Sequence, residues 1–309
     1  LINLISPSTK DSLLLSTRIQ ALKAMNRYPE AIVDLTSLFV KDTTDTKILI
    51  DLAECYKLMG SPRQAADYYR KAVSLRPNNK FFRLQYIRSL LNAENFKEAR
   101  DACHGWLEQD TVSATGYKYL GQAYEGMQDI PNAFFSYNVA YRRDSLDAQT
   151  VARIANIFNN NRQFTDAIDV TECYRLSDTT SVDVNRQNAK AYCMLKDYKK
   201  AIERYESLKR MGDRSFLTFY YLGISYYGDN WFYGSYDNLK EAYAKNSTDI
   251  NVLYYYAKSC SRTSWKKEGV EFMEKAVEIA TPGDSILERL YKGLAECYEI
   301  GRASCRERV

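Results

Sequence analysis

The sequence predicts an all-α fold, a solenoid of antiparallel helix pairs. The main observation is a repeat of 34 residues, because a fixed period of this length is the signature of repeat architectures. Small residues recur at this spacing eight times without an insertion, and we call each one the anchor of its repeat: Ala31, Ala65, Ala99, Ala133, Ala167, Ala201, Ser235 and Gly269. The chain also has 26 Tyr but only 13 Gly and 6 Pro among its 309 residues, which favours packed helices.

Each repeat reads as a helix, a short turn and a second helix. Apolar residues recur at steps of three and four, which makes one stripe along a helix. The stripe breaks about four residues before each anchor, and in four repeats a good N-cap residue stands there: Ser61, Asn95, Asp129 and Asp197. Three prolines fall in the first turn of the second helix, where the missing N–H costs nothing: Pro29, Pro62 and Pro131.

These residues resemble the tetratricopeptide repeats (TPR), a family of 34-residue helical hairpins with aromatic, Leu-Gly, Tyr, Ala and Pro slots. The fourth repeat reads YKYLGQAYEGMQDIPNAFFSYNVAYRRD, and the second reads LAECYKLMGSPRQAADYYRKAVSLRPNN. The resemblance, to a bacterial-type array, covers the eight anchored units. It implies a right-handed α-solenoid of about eight repeats plus part of a ninth.

The period divides the chain into ten parts after a lead-in at 1–11. The predicted repeats are 12–45, 46–79, 80–113, 114–147, 148–181, 182–215, 216–249 and 250–287, the eighth with a longer turn, followed by 288–299 as the first helix of a truncated ninth repeat and by the tail 300–309.

A repeated pentapeptide supports the longer turn before the ninth repeat. LAECY occurs at 52–56 and at 294–298, a separation of seven periods plus four residues. The residues that follow, IGRASCRERV at 300–309, lack the turn, anchor and aromatic slots and match the translation of a common sequencing adapter. We therefore expect Ile300–Val309 to be a non-native tail and, because the chain begins with Leu1, a native start that lies upstream.

Composition argues against several classes of protein. The 43 Lys and Arg nearly balance the 39 Asp and Glu, which is typical of a solvated surface and not of a nucleic-acid footprint. An RNA binder of the pentatricopeptide type would need a 35-residue period and a strongly basic groove. No apolar run approaches the length of a membrane span, so we expect a soluble chain without one. The sequence does not identify the compartment, with cytoplasm and periplasm equally supported.

Residues with catalytic or metal-binding spacing are lacking in the sequence. His104 is its single histidine, and the sequence has no phosphate-binding loop and no nucleophile elbow. We interpret six cysteines as small packing residues on helices because none forms a CxxC pair: Cys55, Cys103, Cys173, Cys193, Cys260 and Cys297. We expect no catalytic residues, no metal and no cofactor, and therefore no enzyme.

In proteins of the resembled family the first helices line a concave groove that binds a peptide or a partner helix. Carried onto this chain, the resemblance assigns nine ligand-binding residues in repeats 5–8: Asn156, Asn159, Arg186, Lys190, Tyr220, Tyr227, Tyr254, Lys258 and Arg262. Amides, cations and tyrosines suit a ligand that carries carboxylates. The Lys-Asn-Asn-Lys-Arg clamp of chaperone-binding members is not expected, because Asn156 fits one slot but Ala152 replaces the first lysine.

The sequence therefore predicts a non-enzymatic scaffold that binds a protein or peptide, with an acidic segment as the candidate ligand of repeats 5–8. The alternative is the sensor or docking arm of a larger signalling or transport protein whose catalytic domain lies outside this chain. Exposed terminal repeats could also support a homo-oligomer.

Overall fold

The computed structural model describes residues 12–281, 283 and 285–306. Over those residues it contains seventeen α-helices and no strand, as the sequence predicts for an all-α solenoid of helix pairs. The predicted lead-in at 1–11 and the end of the predicted tail at 307–309 lie outside the described residues. Among the described helices, none combines the length and the apolar character needed to cross a membrane.

The helices alternate between first and second members of a pair. The first helices are α1 Ser12–Ala24, α3 Thr46–Leu58, α5 Lys80–Asn92, α7 Ala114–Gly126, α9 Ala148–Asn160, α11 Val182–Met194, α13 Phe216–Gly228 and α15 Ile250–Ser261. The second helices are α2 Tyr28–Lys41, α4 Pro62–Leu75, α6 Phe96–Leu107, α8 Ile130–Arg143, α10 Phe164–Arg175, α12 Tyr198–Arg210, α14 Phe232–Lys245 and α16 Lys266–Ile279. The last helix is α17, Ile286–Arg306. Each second helix begins three residues before its anchor.

The chain forms two compact units, Leu1–Asp144 and Ser145–Val309, which we call unit 1 and unit 2. Unit 1 contains α1 to α8, and unit 2 contains α9 to α17. Within each unit every helix packs against the next helix along the chain. In unit 2 the first helices also contact one another in succession, from α9 through α11, α13 and α15 to α17.

The two helices of a pair approach closely at small side chains. Ala133 in α8 and Ser235 in α14 are fully buried. Opposite them on the first helix, a methyl group added to Gly121 would lie 2.6 Å from Cε1 of Tyr137, and one added to Gly223 would lie 2.5 Å from Cγ of Leu239. Large side chains of the second helix therefore occupy space that only a small residue on the first helix leaves open.

The N-cap hydrogen bonds differ from those that the sequence suggested. Of the four predicted caps on second helices, Asp129 and Asp197 accept a backbone N–H, whereas Ser61 and Asn95 occupy the cap position without that bond. First helices are capped more regularly. From α3 to α15 each first helix has a side-chain cap, and the seven capping residues are 34 positions apart: Asp45, Asn79, Ser113, Asp147, Ser181, Ser215 and Asp249.

The turn inside each of the first seven pairs, from α1 and α2 to α13 and α14, contains one residue in the left-handed conformation, again at the 34-residue period. Gly60 has a φ of 72°, and six residues with a side chain have φ between 57° and 64°: Asn26, Glu94, Gln128, Arg162, Lys196 and Asn230. The next residue closes the first helix with a bond to the carbonyl five positions earlier, as from Asn95 N to Leu90 O at 2.9 Å. This is the Schellman arrangement, in which glycine is usual.

Two further expectations can be compared with the structure. Five of the six cysteines are buried, as expected of packing residues, but Cys173 on α10 is exposed, so that interpretation is wrong for Cys173. The first helix of the predicted ninth repeat begins at Ile286 and continues as α17 to Arg306, so residues 300–306 are helical. The non-native origin of the tail remains a prediction.

Replacing the central anchor Ala167 by leucine should destabilise the protein by about 1–3 kcal/mol, because three added carbons must fit a fully buried site beside Ala155 and Ala191. Urea unfolding followed by circular dichroism measures the change. Ala244→Leu on the exposed side of α14 is the control and should alter stability by less than about 0.5 kcal/mol. Equal stability of the two variants would contradict the close approach at the anchor.

Gln128, with a φ of 62°, offers a test of the left-handed turn. Gln128→Gly should be neutral or stabilise by up to about 1 kcal/mol, because glycine adopts this conformation without a Cβ clash. Gln128→Val should destabilise by about 1–2 kcal/mol, because a β-branched side chain tolerates it least. Thermal melting compares the two variants; a valine variant as stable as the glycine variant would show that the turn has another conformation in solution.

Candidate functional site

The nine predicted ligand-binding residues all belong to unit 2. Asn156 and Asn159 lie on α9, Arg186 and Lys190 on α11, Tyr220 and Tyr227 on α13, Tyr254 and Lys258 on α15, and Arg262 directly after α15. We call the surface formed by α9, α11, α13, α15 and α17 the first-helix face. Because these helices contact one another in succession, residues at equivalent turns of neighbouring helices come close together.

Amide side chains and one lysine occupy the face at α9 and α11. Asn159 is buried and donates to the backbone carbonyl and to Oε1 of Gln187, both at 3.0 Å, while its own Oδ1 has no hydrogen-bond partner. Lys190 is half-buried and lies 3.4 Å from Oδ1 of Asn160. Asn156 is half-buried and makes no side-chain hydrogen bond to the described residues. Asn156 and Lys190 are therefore the more accessible of these groups, whereas Asn159 and its unpaired oxygen are buried.

Lys190 differs from Arg186 and Lys258 because no salt bridge joins it to a carboxylate of the described residues. Arg262 also lacks such a partner, but Arg262 is exposed, whereas Lys190 is half-buried. Burial lowers the pKa of its ammonium group, and no acidic neighbour opposes that effect. A half-buried ammonium without an anion is electrostatically unfavourable, so an incoming carboxylate would be attracted to this position.

Arg186, in contrast, is already paired. Its guanidinium donates to Asp213 at 2.9 Å and to Asp183 at 2.9 Å. Asp213 lies in the turn before α13 and also accepts from Oγ1 of Thr218 at 2.7 Å and from the backbone N–H of Ser215 at 2.9 Å. Burial would raise the pKa of the Asp213 carboxyl, but these hydrogen bonds outweigh it and lower that pKa. Arg186 therefore already forms ion pairs with carboxylates of its own chain.

The tyrosines of α13 pack against neighbouring rings. Tyr220 stacks on Phe216 with centroids 5.8 Å apart, and burial raises the pKa of its hydroxyl. Adjacent residues on a helix point about 100° apart, so one ring of each tyrosine pair should pack and the other should face outward. This holds for Tyr226, which is buried, and Tyr227, which is half-buried, but Tyr220 and Tyr221 are both half-buried and contact each other.

Lys258 lies over two tyrosine rings and pairs with an acid from α17. Its Nζ is 5.7 Å from the ring centroid of Tyr227 and 5.6 Å from that of Tyr254, distances typical of cation–π contacts. The same Nζ is 2.9 Å from Oε2 of Glu296. Burial would lower the pKa of Lys258, but the hydrogen bond to Glu296 and nearby tyrosines raise it.

Two residues of this face were missed from the sequence, and both lie on α17. The Arg289 guanidinium lies 4.0 Å over the ring of Tyr254 and 5.2 Å over that of Tyr255. Glu296 is the glutamate of the second LAECY segment. The predicted ligand-binding residues all belong to repeats 5–8, so they do not include an acid from the helix that follows.

Two other residues singled out from the sequence, Arg262 and His104, lie at exposed positions. Arg262 is exposed, with its guanidinium 5.9 Å from the ring centroid of Phe232. His104 is an exposed residue of α6, and its Nε2 lies 3.3 Å from the Tyr124 hydroxyl. Within the described part of the chain, no group of three or more His, Cys, Asp or Glu is arranged to hold a metal ion.

Replacing Asp213 by asparagine should destabilise the protein by about 1–3 kcal/mol at pH 7, because Arg186 loses its buried counter-charge. The folded pKa of Asp213 is lowered, so its stabilising contribution is present above the unfolded value of about 3.9 and is lost as the pH falls through the folded value. The wild type and Asp213→Asn should therefore converge in stability at pH values below that range.

Urea unfolding at pH 7 and pH 3 measures this difference. Asp183→Asn is the matched control, since Asp183 also pairs with Arg186 but its side chain is 74% exposed; its effect should be below about 1 kcal/mol at both pH values. A loss for Asp213→Asn that persists unchanged at pH 3 would contradict the assignment.

Comparisons with solved structures identify the same fold. The Cut9–Hcn1 hetero-tetramer of the APC/C matches 96% of this chain with a TM-score of 0.61 at 13% identity, and the chain spans 57% of that chain's length. A tetratricopeptide repeat protein from Parabacteroides merdae matches 82% of this chain and 98% of its own with a TM-score of 0.55 at 12% identity. YrrB, described as a TPR protein with an unusual peptide-binding site, matches 62% of this chain and 98% of its own with a TM-score of 0.52 at 14% identity.

In comparisons of the sequence, the model of one protein family matches. No curated protein matches the sequence significantly. The family model of the tetratricopeptide repeat matches residues 46–79, the pair formed by α3 and α4. The chain therefore carries a tetratricopeptide repeat at 46–79 and is similar in its helical-repeat fold to solved tetratricopeptide repeat structures.

Proposed function

We propose that this protein is a non-enzymatic interaction scaffold that binds an acidic peptide segment of a partner protein on the first-helix face of unit 2. The fold and the family support the general role of a protein-binding scaffold. The choice of an acidic ligand rests on the side chains of the face.

The observation that carries the proposal is Lys190. It is half-buried, it has no carboxylate partner among the described residues, and burial lowers the pKa of its ammonium group. A carboxylate bound there would restore a counter-charge and form a charge-assisted hydrogen bond. The same carboxylate gains little at Arg186, which Asp213 and Asp183 already neutralise.

Neighbouring groups suit the remainder of an extended peptide. Asn156 and Asn160 present amides beside Lys190, and an amide can both donate to and accept from a peptide backbone. Tyr227 and Tyr254 provide half-buried rings further along the face, where apolar or aromatic side chains of the ligand would gain contact area at low entropic cost.

Fluorescence anisotropy with a labelled peptide rich in Asp and Glu, and with its Asn and Gln counterpart of equal length, tests the proposal. The acidic peptide should bind more tightly, and Lys190→Met should weaken its binding on the order of tenfold, as expected for loss of one charge-assisted bond. Lys267→Met, which removes the same charge from an exposed position on α16, is the control and should change affinity less than about twofold.

Equal binding of the acidic and neutral peptides, with no effect of Lys190→Met, would exclude the acidic ligand and leave only the general scaffold role. Equal weakening by Lys190→Met and Lys267→Met would mean that net charge, and not this position, attracts the peptide.

A further inference from the structure

The contact between Lys258 and Glu296 joins two first helices of unit 2. Lys258 on α15 is held on both sides by aromatic rings, since its Nζ lies within 6 Å of the centroids of Tyr227 and Tyr254. Its side chain is 17% exposed, and its ammonium group lies 2.9 Å from a carboxylate oxygen of Glu296 on α17. One cation of the predicted ligand-binding set therefore already has an anion.

The helix that supplies this anion also covers a neighbouring ring. The Arg289 guanidinium of α17 lies 4.0 Å over Tyr254, and a methyl group added to Gly293 would come within 3.0 Å of Cε2 of that ring. The α17 helix thus lies directly against Tyr254, with Glu296 on the same helix reaching Lys258. The ion pair between Lys258 and Glu296 lies where α15 and α17 pack together. A ligand that crosses α15 would therefore contact this ion pair.

We propose that Glu296 is an internal competitor that occupies Lys258 until the carboxylate of an acidic ligand displaces it. The inference rests on the proposed function, because it concerns the same ligand and the same face. The Lys258 ammonium has three donors, but its side chain is only 17% exposed and its Nζ already lies beside two tyrosine rings and Glu296, so the ligand carboxylate takes the place of Glu296. The ligand then gains only the difference between its own bond and the bond it replaces. Apparent affinity is proportional to the fraction of molecules in which Lys258 is unpaired, so pairing with Glu296 lowers it.

The exposure of the two acids on this face favours competition at Lys258 over a permanent structural pair. The Glu296 side chain is 48% exposed, so its carboxylate can move into water at little cost once a ligand replaces it. Asp213, the partner of Arg186, is only 6% exposed and accepts further hydrogen bonds from Thr218 and Ser215. Releasing Asp213 would break a buried network, whereas releasing Glu296 breaks a single exchangeable pair.

Removing the competitor should strengthen binding of the Asp- and Glu-rich probe peptide. Glu296→Gln should lower the dissociation constant on the order of fivefold, the size expected for a partly exposed ion pair. Glu288→Gln is the matched control: it removes the same charge from the same helix, but Glu288 is 79% exposed and pairs with Lys292. Its effect should stay below about twofold.

Two further variants separate competition from a general change of charge. Glu296→Asp keeps the charge but shortens the side chain by one methylene, which moves the carboxylate away from Lys258. This variant should therefore show part of the increase in affinity expected for Glu296→Gln. Adding Lys258→Met to Glu296→Gln should abolish the gain, because the released cation is then absent. Thermal melting of each variant verifies that the fold is retained.

The outcomes distinguish this inference from the proposed function. If Glu296→Gln and Glu288→Gln bind the probe equally well while Lys190→Met still weakens it, internal competition is refuted and the proposed function stands. If neither the wild type nor any variant binds the probe, the proposed function fails and internal competition fails with it. If Glu296→Gln tightens binding and Lys258→Met reverses the effect, Lys258 is a ligand subsite that Glu296 controls.

Discussion

The structure depends on the close approach of the two helices within each pair. A small anchor such as Ala133 allows the second helix to lie against the first, and the large residue one turn later then occupies the space left by a small residue opposite, as Tyr137 does over Gly121. Repetition of this contact at a constant period brings successive first helices of unit 2 side by side. The first-helix face is therefore a consequence of packing at the anchors.

Periodicity in the sequence predicted the helix pairs because packing restricts residue type at the anchors. The turn inside each pair was less visible. Its left-handed position holds residues as different as Asn26, Glu94 and Arg162, so residue type gives no signal there. The conformation follows instead from backbone bonds that close the first helix, such as Gln163 N to Phe158 O at 2.9 Å. First-helix caps could have been recognised, since Asp, Asn or Ser recurs at each.

The candidate residues lie on first helices or, for Arg262, directly after one, and their role in binding stays a prediction. Their ion pairs could not be predicted from these positions, because an ion pair depends on residues that come from elsewhere, as Asp213 does for Arg186. The repeated LAECY segment did contain a usable signal. Its first copy brings Glu54 within 3.5 Å of Lys23, and its second brings Glu296 within 2.9 Å of Lys258. Each copy directs a carboxylate to a lysine of the preceding repeat.

Three cations of the face, Arg186, Lys258 and Lys190, form a graded series because the burial of their counter-charges differs. Arg186 has a buried carboxylate fixed by two further hydrogen bonds, so a ligand gains almost nothing there. Lys258 has a half-exposed partner, and a ligand gains the difference between two similar bonds. Lys190 has none, and burial already lowers the pKa of its ammonium group, so a ligand carboxylate both forms a bond and relieves an unfavourable desolvation. An acidic segment should therefore be oriented first by Lys190. Its affinity should then be adjusted by Glu296, the partner of Lys258.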